Sequence, residues 1–267
     1  MIIALPIGPE EDKYFINQAY VDYVKTAGYE PLLVAPENNP NSIANYADGL
    51  LLPGGKDIDP IFYGEDNWAS QWCDAKKDEF ERNLFWAFAP TGKPIFGICR
   101  GFQLIAREYI FNNRELSVTK SSETTVEERL VYEQHIGDHS QSEFFKIRRS
   151  MPSHFVVARD DLLYGSEEKV PNYTSVNSMH HQYVHLHRED HQLWKSTKVT
   201  PHIWVTAWTS RGLDKDDSGL VCEGFIIKDW TPSPIAGVQW HPEEMMDIQL
   251  IQHHFGHEEK VSEKKNA

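Results

Sequence analysis

In the first hundred residues, short and uniformly apolar runs alternate with stretches that carry apolar side chains at helical spacing, and few folds satisfy that pattern. Ile2-Ile3-Ala4-Leu5-Pro6-Ile7 reads as a strand ending at Gly8. Phe15, Ala19, Tyr20, Tyr23 and Val24 then recur at helical spacing, and Gly28 stands where a helix C-terminus favours a left-handed residue. Residues 31–35 and 49–52 form two further apolar runs, the second passing into Pro53-Gly54-Gly55. A helix over about 74–88 puts Phe80, Leu84, Phe85 and Phe88 on one face. Residues 93–98 make a fourth strand, followed at once by a helix over about 100–110. Strands with no polar alternation are buried on both faces. The expected class is therefore α/β, an open and mostly parallel sheet with helices on both faces.

The remainder reads differently. Residues 155–157, 204–208, 221–227 and 235–240 look like strands, and the last three lie close enough to be antiparallel neighbours at a sheet edge. In a regular strand Trp204 and Trp208 share a face, which suits core packing. A final helix covers about 248–255, and residues 258–267 form a charged, frayed tail. The stretch 117–142 is polar and irregular, and no element is assigned to it. With no repeat, linker or low-complexity block, the expectation is one domain over residues 1–257.

Composition narrows the partners. With 26 basic and 40 acidic side chains the formal charge is −14, which does not favour phosphate backbones, and no local basic patch compensates. No apolar run approaches 18 residues, and the N-terminal stretch lacks the basic region of a signal peptide. Cys73, Cys99 and Cys222 are too few and too scattered for a disulfide framework. The expectation is a cytoplasmic protein that engages neither nucleic acid nor membrane.

Cys99 is the candidate nucleophile. It ends an apolar strand and opens a helix inside Gly97-Ile98-Cys99-Arg100-Gly101, the spacing that holds a nucleophile on a sharp turn above the carboxyl edge of a sheet. A helix N-terminus there stabilises a thiolate and offers an N–H to a developing oxyanion. A lone cysteine is otherwise most often a small buried hydrophobe. A thiol needs a base and something to orient it. Gly237-Val238-Gln239-Trp240-His241-Pro242-Glu243 supplies His241 at a strand end, with Glu243 two residues on to fix the tautomer. The Gly54-Gly55 turn exposes backbone N–H groups at the same edge, for the other half of an oxyanion hole or simply as a turn. The histidines at 180, 181, 185, 187 and 191 include no H-E-x-x-H and no nearby cysteine pair, so no metal is expected.

Together these motifs resemble the class I glutamine amidotransferase superfamily, whose members cleave a γ-glutamyl amide with a Cys-His-Glu triad. Within it the chain is most similar to γ-glutamyl-γ-aminobutyrate hydrolases and γ-glutamyl peptidases. The likeness rests on the run from Gly54 to Glu65, on Gly97 to Gln103, on Val176-Asn177-Ser178-Met179-His180-His181-Gln182, and on Gly237 to Glu243. It implies a flavodoxin-like sheet and a catalytic set of Cys99, His241 and Glu243. The backbone N–H groups of Gly55 and Arg100 would form the oxyanion hole, and Gln103, Ser178 and His180 would contact the glutamyl group or shape its pocket. It implies a γ-glutamyl thioester, a small γ-glutamyl substrate and no cofactor.

The chain also departs from these relatives. After the elbow it reads Leu104 to Leu116 without the double glycine that shapes their leaving-group side, so the amine released stays open. Three readings follow. The first is a stand-alone γ-glutamyl hydrolase, which Arg100 and the Val176–Gln182 block favour. The second is an ammonia-donating glutaminase working with a separate synthetase. The third is a non-catalytic γ-glutamyl-binding protein. Self-association is left open.

Overall fold

The computed structural model describes residues 1–10, 12–63, 66–67, 70, 72–112, 130–134, 154–177, 182–186, 193, 196–210 and 220–256. Five strands are parallel: β1 (Ile2–Pro6), β4 (Glu30–Val34), β5 (Gly49–Leu52), β6 (Ile95–Ile98) and β13 (Ile235–Val238). They lie side by side as β4-β1-β5-β6-β13. In chain order that is 2-1-3-4-5, the flavodoxin-like arrangement, with its topological switch beside β1.

Period-two alternation decides which helix covers which face. Ala4, Leu50, Leu52 and Ile95 face one way, under α3 (Ala75–Phe88) and α4 (Arg100–Asn112), where Phe80, Leu84, Phe85, Phe88 and Phe102 join them. Ile3, Leu5, Leu51, Phe96, Ile98 and Val238 face the other way, under α1 (Gln18–Thr26) and α7 (Ile248–Phe255). Each fully buried Leu, Ile or Phe contributes about 1.5–3 kcal/mol relative to exposure. This two-sided burial is why the strands read as continuous apolar runs. The short helix α2 (Pro40–Tyr46), capped by Asn39, carries too few apolar residues to be seen as a periodic pattern.

Beyond β13 the sheet continues antiparallel through β12 (Leu220–Ile227), β11 (Ile203–Ser210), β8 (His154–Ala158) and β9 (Asn172–Val176). The three late strands are antiparallel neighbours as expected, but they join the parallel half to a wider extension whose outer strand is β9. On β12, Gly224 to Ile227 pair with β13, whereas Leu220 to Cys222 pair on that same side with β10 (Gln182–Leu186). β10 therefore lies beyond the carboxyl end of β13, and it pairs in turn with β7 (Leu130–Gln134), the described part of the 117–142 stretch. Two further short helices are α5 (Asp160–Leu163) and α6 (Pro242–Met245). Among the described residues no helix is long and apolar enough to cross a membrane.

Two expectations change. Phe15 is not on the first helix but in a hairpin of β2 (Gly8–Glu10) and β3 (Lys13–Phe15), where it is 58% exposed. The helix starts later because the Asn17 side chain caps it, accepting the Ala19 N–H at 3.1 Å. Gly28 closes it at φ 89° as expected. Trp204 and Trp208 do not share a face, since the register of β11 on β12 shifts between Val205 and Trp208. A bulge of this kind swaps the faces of the residues beyond it. Trp208 is fully buried with Ile203 and Val205, whereas Trp204 turns outward beneath Lys198 and Lys228.

Candidate active site

The parallel strands β6 and β13 pair Gly97 with Gly237 and Ile98 with Val238, so Cys99 and His241 leave the sheet at the same edge. Cys99 occupies the turn between β6 and α4 at φ 51°, a conformation that costs an L-residue about 1–2 kcal/mol. Neighbouring backbone holds it there: its N–H donates to the Val238 carbonyl at 2.8 Å, and its carbonyl accepts the Gln103 N–H at 3.0 Å. The flanking glycines are steric necessities. A Cβ on Gly97 would stand 2.6 Å from the Phe102 nitrogen, and one on Gly101 would overlap the Leu52 carbonyl oxygen. Helix and strands meet closely enough to pinch the turn.

His241 precedes α6, and Pro242 at the helix start brings Glu243 back beneath the ring. Nδ1 lies 2.6 Å from Glu243 Oε1. A carboxylate only accepts, so the Nδ1 proton points to Glu243 and Nε2 is left for the thiol. Both His241 and Glu243 are buried. Burial alone disfavours a charged ring, but the Glu243 carboxylate and the Cys99 sulfur beside it carry the His241 pKa well above the usual 6.5. Cys73 and Cys222 lack such company. Burial and the nearby Asp59 push the Cys73 thiol up to about 11, and burial raises Cys222 further.

Tyr20 on α1 links the two sides of the site. Its hydroxyl accepts the Gly54 N–H at 2.8 Å and lies 3.3 Å from His241 Nδ1. With the Gly54 donor committed to Tyr20, the Gly55 and Arg100 N–H groups have no backbone acceptor among the described residues. A Cβ on Gly54 would stand 2.5 Å from Tyr20 Oη and 2.8 Å from His241 Cε1, so the P-G-G string is more than a turn. Cys99, Arg100, Gly54, Gly55, His241 and Glu243 line one cavity of about 420 Å³ at the carboxyl edge, beside the switch point.

The other expected residues divide. The Arg100 guanidinium is buried against Asp78 and Glu81 on α3, fixing that helix to the elbow. Gln103 lines the cavity, yet its Nε2 donates to the Gln182 carbonyl at 2.7 Å and to Gln239 Oε1 at 3.1 Å, so it ties α4 to β10 and to the end of β13. Ser178 and His180 lie outside the described residues, as do His181, His187 and His191. Among the described residues no group of three or more His, Cys, Asp or Glu is placed to hold a metal ion.

Sequence reasoning missed Tyr20 and the functions of Asn177 and Gln182. Asn177 Oδ1 accepts the His241 N–H at 2.9 Å, and its Nδ2 donates to the His241 carbonyl at 3.1 Å. Gln182 Oε1 accepts the Ile58 N–H at 3.1 Å while its Nε2 donates to the Ile58 carbonyl at 2.9 Å, holding the loop that follows Gly55. Both residues belong to the Val176–Gln182 block, whose amides were the available signal.

The sequence profile of the peptidase C26 family matches residues 8–243. A Schizosaccharomyces pombe protein named "putative glutamine amidotransferase" is 29% identical over 93% of this chain and 81% of its own length. A Lactococcus lactis "putative glutamine amidotransferase-like protein", YvdE, is 28% identical over 86% and 80%. Protein NtpR of Enterococcus hirae is 28% identical over 86% and 81%. The elbow, the histidine–carboxylate pair and the glycine loop all fall within the matched span, and the chain belongs to the peptidase C26 family, a class I glutamine amidotransferase-like group.

Proposed function

We propose that the protein is a cysteine-dependent hydrolase that cleaves the γ-glutamyl amide bond of a small γ-glutamyl compound. The observation that carries this reading is the convergence, in one cavity, of a thiol on a left-handed elbow, a histidine paired to a carboxylate at 2.6 Å, and backbone donors with no backbone acceptor among the described residues. In this reading His241 Nε2 takes the Cys99 proton, and the sulfur adds to the γ-carbonyl carbon. The oxyanion is held by the Gly55 and Arg100 N–H groups. The C–N bond breaks as the imidazolium protonates the amine, leaving a γ-glutamyl thioester. A water deprotonated by His241 then attacks, and glutamate leaves as the Cys99 thiol is restored. Glu243 orients the ring and balances its charge without itself reacting.

The names of the relatives make glutamine the first amide to try, since it is itself a γ-glutamyl amide with ammonia as the leaving amine. Incubation with diazo-oxo-norleucine, a diazoketone analogue of glutamine, tests the reading directly. Intact mass should show one adduct, and peptide mapping should place it on Cys99, with Cys73 and Cys222 unmodified. An adduct elsewhere, or none, overturns the assignment.

A further inference from the structure

We propose that Lys77 is the specificity residue of this cavity, receiving the α-carboxylate of the substrate's γ-glutamyl group; the inference rests on the γ-glutamyl reading above. Lys77 lies in the first turn of α3, is only 9% exposed and lines the same cavity as Cys99. Its Nζ would stand 2.8 Å from a Cβ on Gly55 and 3.3 Å from one on Gly8. It therefore rests against the loops that follow β5 and β1, at the switch point.

Lys77 shares its buried carboxylates, Glu81 and Asp78, with Arg100. Among the described residues Lys77 pairs with Glu81 Oε1 at 3.6 Å, beyond hydrogen-bond length, and that buried oxygen has no hydrogen-bond partner among them. Arg100 already takes Asp78 and the other Glu81 oxygen. Burial holds the Lys77 pKa below the ordinary lysine value. A buried ammonium whose ion-pair partner among the described residues stands at 3.6 Å is costly to keep unless a ligand supplies a closer acceptor. Of the other cations on this wall, Lys56 is exposed and the Arg100 guanidinium is committed.

The span also fits. Gly55 follows Gly54, whose Cβ position is 3.4 Å from Cys99 Cβ. In a γ-glutamyl group, four carbon–carbon bonds, about 5 Å when extended, separate the reacting carbonyl carbon from the α-carboxylate carbon. A glutamyl chain that starts at Cys99 and runs along the Gly54–Gly55 wall would carry its carboxylate toward Nζ. Asp57, Asp74 and Glu244 on the same cavity supply acidic groups suited to the neighbouring α-ammonium.

The test compares L-γ-glutamyl-p-nitroanilide with 4-aminobutanoyl-p-nitroanilide, which lacks only the α-carboxylate, on the wild type, Lys77→Met and Lys77→Arg. The wild type should prefer the first substrate. In Lys77→Met the ratio of the two kcat/KM values should fall by about 30-fold or more, chiefly through KM, and Lys77→Arg should restore much of it. Equal kcat/KM for the two anilides on the wild type, or a ratio unchanged in Lys77→Met, overturns the proposal even if the methionine variant folds poorly. Calorimetric titration with L-glutamate and 4-aminobutanoate separates the two readings. Glutamate binding that weakens in Lys77→Met, in a protein that hydrolyses neither anilide, would sink the hydrolase reading and keep the carboxylate site. Glutamate binding indifferent to Lys77 would sink the site and leave the hydrolase standing.

Discussion

Asn177 grips the backbone of His241 from both sides, accepting its N–H at 2.9 Å and donating to its carbonyl at 3.1 Å across 64 residues of sequence. Asn177 itself is fully buried, so water does not replace these bonds. Asn177→Ala leaves a buried donor and a buried acceptor unpaired, at a cost of about 2–3 kcal/mol in stability. It also frees the His241 backbone, from which the imidazole projects. Urea unfolding should show the loss, and steady-state kinetics should show kcat falling more than KM rises. A variant with wild-type kcat would mean that Glu243 alone positions the ring.

Cys99→Ala should abolish hydrolysis of γ-glutamyl substrates, by about 10³-fold or more, and abolish labelling by the diazoketone, while the protein stays folded. The left-handed backbone adds a second consequence. Cys99→Gly should be more stable than Cys99→Ala by about 1 kcal/mol, because only glycine adopts φ 51° without strain. Chemical denaturation of the two inactive variants side by side checks this, and equal midpoints would show that the elbow stores no strain.

Glu243 should govern the charge on His241. Because the folded pKa of His241 lies above 6.5, the ring's stabilisation is fully present below pH 6.5 and is lost as pH rises through the raised value. Glu243→Gln removes the carboxylate, so the imidazole titration followed by NMR should move toward lower pH. The same change should cost less activity than Cys99→Ala, since in the proposed mechanism Glu243 orients rather than reacts. An unmoved titration would assign the shift to Cys99.

Two glycine substitutions should fail differently. Gly101→Ala drives a Cβ into the Leu52 carbonyl, backbone against backbone, and should yield little folded protein. Gly54→Ala meets side chains rather than backbone: it crowds Tyr20 Oη and His241 Cε1 and touches Cys99 Cβ at 3.4 Å. It should fold with a change of about 1 kcal/mol and lose about 10²-fold in kcat, because the imidazole must move. Thermal melts and rates on both variants test the contrast, and an active Gly54→Ala would place the reacting ring elsewhere.

Much of this was legible in one dimension because the signals are local. Apolar runs at Ile3–Leu5 and Leu50–Leu52 announce strands buried on both faces, and two glycines around Cys99 announce a turn that excludes any Cβ. His241-Pro242-Glu243 carries its own geometry in the two-residue link. What the tertiary structure alone decided depends on which chain ends meet. Asn177 reaches His241 only because the chain leaving β9 meets the chain leaving β13, although three strands separate the two in the sheet, and Gln182 reaches Ile58 only because β10 lies past the end of β13. Trp204 and Trp208 part company at a bulge that no period reveals. The place of Lys77, a charged residue on a helix that reads as solvent-facing, is set by how α3 packs against the Gly8 and Gly55 loops. Periodicity reports burial along an element, whereas contacts between elements arise from packing that no single segment encodes.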